Sequence, residues 1–478
     1  MAQNKYDIII VGCGSGGLSI GLFMNKAGFK VLMVSKRDDD IGGDCLNDGC
    51  VPSKAFIHVA RIIHSARQAE NFGMQVTGKP NIKKAMDYVY GRQEIIRVRE
   101  NARWLREQGI DVALGEAHFT KADAIEVDAK TYRGKKIVIA TGSTPQKLKV
   151  PGIEKVKYYD NQNIFHLENL PQRLLIAGGG PISIEIGQAL SRLGSKVTVV
   201  HKGEMILEHD DKAVTKVLYQ QLEKEGLEFI FNAEVESFPS ANEAIIKLKD
   251  GGMRTVVMDA VFAGVGRQLN TQGLQLEKAG IVVKDSKIAV NNYLRTTNKD
   301  VYVCGDVAGS LQFSHAAEQH ARILLNNFFS PLKKKLNNDH MSWVTFTDPE
   351  VATFGIQEKA LKEKGVKYRR LETDFDEDDR AVTDDYLYSK LILYISQGSF
   401  LHKEKILGGT MVAPGAGELI QELILSNTYK LSINTIFNKI YPYPVAARIN
   451  QNAIVQYKQE GLTEGLKKLL QIAFKIIS

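Results

Sequence analysis

Cys45 and Cys50 lie in "GGDCLNDGCVPSK", residues 42–54, with four residues between them. Two cysteines at this spacing fit three chemistries: half of a metal site, an inert staple, or a redox couple whose disulfide opens and closes. Pro52 suits the first turn of a helix. Cys50 is therefore expected near a helix N-terminus, where the positive end of the dipole stabilises a thiolate. Cys45 is expected on the incoming loop, within disulfide reach. A zinc site needs two more ligands. The other two cysteines, Cys13 and Cys304, sit singly inside other patterns. The redox couple is the favoured reading, with the metal pair and the staple as alternatives.

Such a couple needs an electron source, and the flanking pattern supplies one. "YDIIIVG" is a continuous apolar run, as in a strand covered on both faces. "LSIGLFMNKAG" reads as a helix ending near Gly28, and "KVLMVSK" as the next strand. Between the first strand and the helix stand Gly12, Gly14 and Gly17, spaced G-x-G-x-x-G. The first glycine permits the turn, the second lets a pyrophosphate approach the backbone, and the third lets helix and strand pack closely. The helix N-terminus then faces the anion. The bland alternative is a glycine-rich turn with no function. An acid that binds ribose is expected at the end of the second strand, but Ser35 stands there. A serine hydrogen-bonds a hydroxyl less strongly than a carboxylate does.

Residues 173–202 repeat this order as "RLLIAGGG", "PISIEIGQALSRLG" and "SKVTVVHK". Gly178 and Gly180 are followed by Ser183 in place of the third glycine. His201 and Lys202 replace the acid. With no carboxylate to repel a 2′-phosphate and a cation to meet it, NADPH is expected over NADH. A solvated loop pair is the bland alternative. Two such units imply two dinucleotide-binding domains.

The 478 residues allow two to four domains. A net charge of +7, from 62 basic and 55 acidic residues spread along the chain, gives no clustered basic face, so no nucleic-acid partner is expected. No run of about 18 apolar residues occurs, so no spanning helix is expected. The N-terminal segment lacks the layout of a secretory signal. Four cysteines do not make a secreted disulfide framework. A cytoplasmic protein is expected. Residues 53–70 and roughly 80–108 read as helices rich in Arg, Lys and Glu. Residues 300–328 read as a strand and a helix, and "PLKKKLNNDH" as a polar linker. Alternating strands and helices after it read as a separate α+β domain.

"GGDCLNDGCVPSK" resembles the redox-active signature of the flavoprotein disulfide reductases, the class I pyridine nucleotide-disulfide oxidoreductases. That family includes dihydrolipoamide dehydrogenase, glutathione reductase and mercuric reductase. "KIVIATGSTP", "AGVGRQLN", "TTNKDVYVCGD" and "TFTDPEVATFG" agree in order and spacing, so the resemblance covers almost the whole chain. It implies an α/β fold with two Rossmann-like dinucleotide-binding domains, for FAD and NAD(P)H, and a C-terminal α+β dimerisation domain. The implied boundaries are 1–150 and 268–340 for FAD, 151–267 for NAD(P)H and 341–478 for the homodimer interface. The implied cofactor-binding residues are Gly12, Gly14, Gly16, Gly17, Ser35, Gly43, Asp44, Thr141, Gly142, Gly266 and Asp306, with Gly178, Gly180, His201 and Lys202 for the nicotinamide dinucleotide. Lys54 and Glu185 match a pair near the reactive flavin nitrogen, although Glu185 also reads as a surface acid. The implied chemistry passes a hydride from NADPH to FAD, which reduces the Cys45–Cys50 disulfide. Cys50 is then the thiolate against FAD and Cys45 the exposed interchange thiol. The cofactors carry the electrons and the protein positions them.

The C-terminal segment departs from part of the family. Dihydrolipoamide and glutathione enzymes carry a His-Pro there, with a Glu five residues after the His. In "KIYPYPVAARIN", Tyr443 occupies the His position and Arg448 the Glu position. Tyrosine has a pKa of about 10 and arginine above about 12, so neither is a base at neutral pH. Losing such a base costs about 10²–10⁴-fold. Mercuric reductase, which also places a Tyr there, is the better match, although its C-terminal cysteine pair and N-terminal metal-binding domain have no counterpart in this sequence. The expected function is a small-molecule electron acceptor's reductase, the acceptor being a metal ion or another oxidant, with no resident metal. The rivals are a dihydrolipoyl dehydrogenase with a substitute acid/base and a flavin-bound redox sensor. Tyr441 and Tyr443 also read as interface aromatics. The final stretch, "GLTEGLKKLLQIAFKIIS", is an apolar helix with Lys467, Lys468 and Lys475. It fits either a membrane surface or its own dimer, and the dimer is the expectation.

Overall fold

Ile8, Ile9 and Ile10 are fully buried in the strand Lys5–Val11, Ile8 and Ile10 packing with the helix residues Leu18, Ile20 and Leu324 on one face and Ile9 with Phe119, Ile125 and Leu276 on the other, as a continuous apolar run requires. This strand is central to a seven-stranded sheet in a computed structural model that describes residues 5–398 and 403–477. Residues 1–4 of the segment read against a secretory signal, and Ser478 of the terminal helix, lie outside the described residues. The chain packs as two units. One holds the residues up to Lys202 together with Glu228–Asn337; the other holds Gly203–Leu227 and the residues from Asn338 on.

In the first unit, Lys5–Val11 pairs in parallel with Val31–Ser35 and Lys130–Ile139. Val301–Val303 returns late in the chain to pair in parallel with Lys130–Ile139. The same unit carries a parallel five-stranded sheet in which Arg173–Ala177 lies between Lys196–Val200 and Ala260–Ala263. The two βαβ units read from the sequence are present as Ser15–Lys26 and Pro181–Leu193 with their flanking strands. The basic stretch near 80–108 is two helices, Ile82–Arg97 and Ala102–Glu107. Asn101 starts the second by accepting the Trp104 N–H at 2.8 Å.

The second unit is built on an antiparallel sheet ordered Ser342–Thr345, Glu350–Gly355, Ile406–Ala413, Lys390–Ser396, Tyr368–Asp374. Phe354, Leu391, Leu393, Met411 and Ile454 fill its core. Gly203–Leu227 joins this unit through two neighbouring acids. Asp210 accepts from Trp343 Nε1 at 2.8 Å and Thr353 Oγ1 at 2.5 Å. Asp211 caps the helix Lys212–Lys224, accepts from Tyr394 at 2.7 Å and meets Arg370 at 3.2 Å.

Candidate active site

Gly42 and Gly43 have φ of 93° and 63°, and that left-handed pair turns the chain into the short helix Gly43–Asn47. Cys45 therefore sits on a helical turn rather than on the loop expected from the sequence. Cys50 opens the helix Cys50–Gln68. Cys50 is exposed and Cys45 half-buried, beside the buried Leu46. The Cys45 thiol donates to the Cys50 sulfur, which holds Cys45 well above the ordinary thiol range and Cys50 below it, at about 6. The Ser314 hydroxyl, 3.4 Å from Cys50 Sγ, and the Lys54 ammonium one turn along add to the lowering, against burial. Ser314 itself begins a helix, Ser314–Phe329. Cys13 and Cys304 are buried singly, and burial pushes both thiols up to about 12.

Lys54 Nζ reaches Glu185 Oε2 at 2.8 Å. The Glu185 side chain is 3% exposed, so it is no surface acid. This ion pair joins the cysteine helix to the helix of the second glycine turn.

Asp44, just before Cys45, leads into a polar knot. Arg267 contacts Asp44 at 3.1 Å and donates to Ser143 Oγ at 2.7 Å, and Ser143 donates to Asp306 at 2.6 Å. Burial raises Asp306, with Ser143 and Arg267 opposing. Asp48 is pushed up to about 7 by burial and by the charge of Asp44. Asn161 donates to Asp44 at 2.9 Å. Gly142 and Gly266, both at positive φ, let Ser143–Pro145 pair with Arg267–Leu269. Thr141 donates to the Asn270 carbonyl at 2.7 Å, and the Asn270 side chain donates back at 2.8 Å.

Both nucleotide turns fit a dinucleotide. Gly14 and Gly180 cap helices with no side-chain cap and no acid in the first turn. A Cβ at Gly180 would meet nothing within 4 Å, and at Gly14 only the Gly43 Cα at 3.7 Å. Backbone N–H groups are therefore open to an anion at both turns. Gly16 is held tight, since a Cβ there would lie 2.6 Å from Cys304 Sγ.

Two residues expected to contact a cofactor have partners within the chain. Ser35 donates its hydroxyl to the Arg37 carbonyl at 2.9 Å, so that proton is already used within the strand end. His201 is buried, and its Nδ1 accepts the Gly179 N–H at 3.1 Å. That nitrogen carries no proton, so the ring braces the turn, and the exposed Lys202 is the cation at this strand end. In the second unit, Tyr443 is 66% exposed and donates to Asp379 at 3.0 Å, which raises its pKa. The Arg448 guanidinium lies 5.4 Å from its ring centroid. Tyr441 donates to Glu422 at 2.6 Å.

In the first unit the cysteine helix thus carries Cys50 and the Lys54–Glu185 pair, and Asp44, next to Cys45, leads through Arg267 and Ser143 to Asp306. Sequence reasoning passed over Ser143 and Asp48, which lie inside quoted motifs, and Ser314, which stands 264 positions from Cys50. It also passed over His320, fully buried, whose Nδ1 accepts the Gly305 N–H at 3.2 Å and which burial lowers to about 4.

Two dinucleotide turns beside one dithiol define a nucleotide-dependent thiol oxidoreductase. Residues 6–321 match the family described as pyridine nucleotide-disulphide oxidoreductase, and residues 341–454 match its dimerisation domain. The chain belongs to that family of enzymes, whose members bind FAD and use NAD(P)H. The dimerisation match supports a homodimer. The chain is 30% identical to mercuric reductase of Staphylococcus aureus, over 92% of this chain and 80% of the relative. It is also 30% identical to dihydrolipoyl dehydrogenase of Thermus scotoductus, over 100% of both. The solved flavoprotein disulfide reductase RclA of Escherichia coli has the same fold, with a TM-score of 0.82 at 24% identity, covering 94% of this chain and 99% of that one. Among the described residues no helix is long and apolar enough to cross a membrane, and no group of three or more His, Cys, Asp or Glu is placed to hold a metal ion.

Proposed function

We propose that this enzyme passes electron pairs from NADPH through the Cys45–Cys50 disulfide to a small, thiolate-seeking acceptor, a soft metal ion as the name of its mercuric reductase relatives suggests. In this reading residues 1–150 and 268–340 hold FAD, 151–267 hold NADPH, and 341–478 pair two copies. When bound, FAD supplies the electron-relaying chemistry between nicotinamide and disulfide. The open helix N-termini at Gly14 and Gly180 bind the two pyrophosphates, and Asp306, held by Ser143 and Arg267, takes polar groups of the flavin dinucleotide. Lys202 meets the 2′-phosphate. Lys54 and Glu185 fix a charge pair beside the couple. Reduction opens the disulfide to the Cys45 thiol and the Cys50 thiolate, and the dithiol then gives two electrons to the acceptor and closes again.

The observation that carries the choice of acceptor is Tyr443 bonded to Asp379 under Arg448. A phenol raised by a carboxylate is no base near neutrality, so no group there deprotonates a dithiol substrate or, in the reverse direction, the Cys45 thiol that must attack a disulfide. A soft metal ion needs only a thiolate, and the lowering of Cys50 supplies one. The test is anaerobic multiple-turnover NADPH oxidation with thiol-chelated Hg(II), Cu(II), lipoamide and glutathione disulfide. Metal-ion turnover at least about 10²-fold faster than either disulfide is expected. A second reading, dihydrolipoyl dehydrogenase with a substitute acid/base, draws on the full-length match to the Thermus relative. Fast oxidation of dihydrolipoamide with NAD⁺ would establish it and overturn the role given to Tyr443. A protein that stops after one NADPH with every acceptor is a redox sensor instead.

A further inference from the structure

The helix Glu464–Ile477 has no buried residue and lies past the stretch matched to the dimerisation domain. At 100° per residue its polar side chains, Glu464, Lys467, Lys468, Gln471 and Lys475, gather on an arc of about 100°. Leu466, Leu469, Leu470, Ile472, Phe474 and Ile476 spread over about 200° on the other side. Phe474 is 74% and Ile477 85% exposed. A helix that packs on a globular neighbour buries a narrower stripe. An arc twice as wide as the polar face suits a medium that immerses half of the cylinder.

The charges choose the medium. Three lysines stand against one glutamate, a net charge of +2 (3 − 1), and Glu464 is paired with Lys467 at 2.8 Å. Lys467 and Lys468 border the apolar arc on its two sides, where their stems run along apolar surface and their ammonium groups reach outward. At about 1.5 Å per residue, 14 residues make a helix of about 21 Å, too short to cross a hydrocarbon core of about 30 Å.

We propose that this helix lies in the plane of an anionic lipid surface, its Leu and Phe side chains in the acyl boundary and its lysines at the headgroups, tethering the reductase to a membrane it does not span. The test is flotation of the full-length holoenzyme with phosphatidylglycerol–phosphatidylcholine vesicles and with phosphatidylcholine alone. The enzyme is expected to float with the anionic vesicles, with binding that falls as salt rises. The double variant Leu469→Glu, Phe474→Glu should lose flotation while keeping its flavin spectrum, NADPH oxidation and sedimentation mass. Replacing Lys467, Lys468 and Lys475 with Gln should weaken binding about a hundredfold, at about fivefold per lysine. Failure of the wild type to float overturns the proposal. Conversion of the double variant to a smaller particle by sedimentation also overturns it, since the apolar arc is then covered by a second copy of the chain.

Discussion

At the first glycine turn, a Cβ on Gly17 would lie 2.1 Å from the Gly12 carbonyl, and Ala140 closes the strand opposite. At the second, Ser183 carries a side chain at the matching position, and Gly264 stands where Ala140 stood. The equivalence is set by the backbone: Ala140 N–H donates to Val11 at 2.8 Å, as Gly264 N–H donates to Ala177 at 2.9 Å. A Cβ on Gly264 would lie 2.1 Å from Ser183 Oγ. The close approach of helix and strand is thus a volume shared between two positions. A fingerprint that reads only the helix side sees half of it. The same holds one strand over, where neither end carries the expected acid. Ser35 bonds its own strand end, while His201 braces the turn itself. The Lys54–Glu185 pair then ties the cysteine helix of the first region to the turn helix of the second.

The first glycine of the first turn tests the shared rule most severely. At φ 112°, a Cβ on Gly12 would stand 2.2 Å from the Ala140 carbonyl. Gly12→Ala is expected to cost about 4 kcal/mol and to leave the protein without bound flavin, read by absorbance after purification. A yellow, fully loaded variant breaks the account of that turn. The volume trade at the second turn is sharper still. Gly264→Ala should cost about 3 kcal/mol in chemical unfolding, and Ser183→Gly in the same chain should restore most of it. Additive losses would mean that the two positions do not share a space. Ser183→Ala alone should be neutral or stabilising, because its hydroxyl is fully buried with no hydrogen-bond partner among the described residues.

The tie between the two regions is asymmetric. Glu185 is buried and Lys54 is about one-third exposed (35%). Lys54→Met removes the ammonium from a buried carboxylate and should cost about 2 kcal/mol. Glu185→Gln leaves a lysine that water reaches, and should cost less than about 1 kcal/mol. Equal losses by thermal unfolding of the two variants would reverse the burial argument.

Much of this was legible in the sequence, for a local reason. A strand buried on both faces, a glycine turn and an amphipathic helix are written in consecutive residues, so both βαβ units could be read. The start of the cysteine helix could be read from Pro52. What escaped the reading is what depends on contact at a distance. Ser314 reaches Cys50 across 264 positions, and nothing near residue 314 announces it. Gly203–Leu227 packs with the second unit because Asp210 finds Trp343, which is 133 positions away. His201 has the right chemistry for a phosphate and the wrong burial, which no neighbouring residue reveals. Cys45 was placed on the loop leading into the cysteine helix, whereas the positive φ of Gly42 and Gly43 starts a helical turn there.

The division of labour at the second strand end gives the next test. Lys202→Glu should lower the NADPH to NADH preference in kcat/KM by about tenfold, the scale of one charge-assisted contact. His201→Ala should loosen the turn and weaken both coenzymes alike. A selective loss of NADPH in His201→Ala would return His201 to the role read from the sequence.

The last comparison is at the couple itself, and it separates lowering of Cys50 by Cys45 and Lys54 from lowering aided by the Ser314 hydroxyl. Cys50 is lowered to about 6, so in the reduced enzyme its thiolate persists above that pH and is lost as pH falls through it. The sign follows from linkage: an acid depressed by folding contributes stability that is fully present above its unfolded value, about 8.5 for a thiol, and vanishes below the folded one. In the two-electron-reduced protein the long-wavelength thiolate absorbance should therefore fade on acidification near pH 6. Ser314→Ala removes a donor worth about 1 kcal/mol to the charged sulfur, so the midpoint should move upward. Ser314→Thr, which keeps the hydroxyl, should restore it, and a purely structural role for Ser314 would leave the midpoint where it was. An unmoved midpoint in Ser314→Ala would assign the lowering to Cys45, Lys54 and the helix N-terminus, and Lys54→Met would then show the larger displacement.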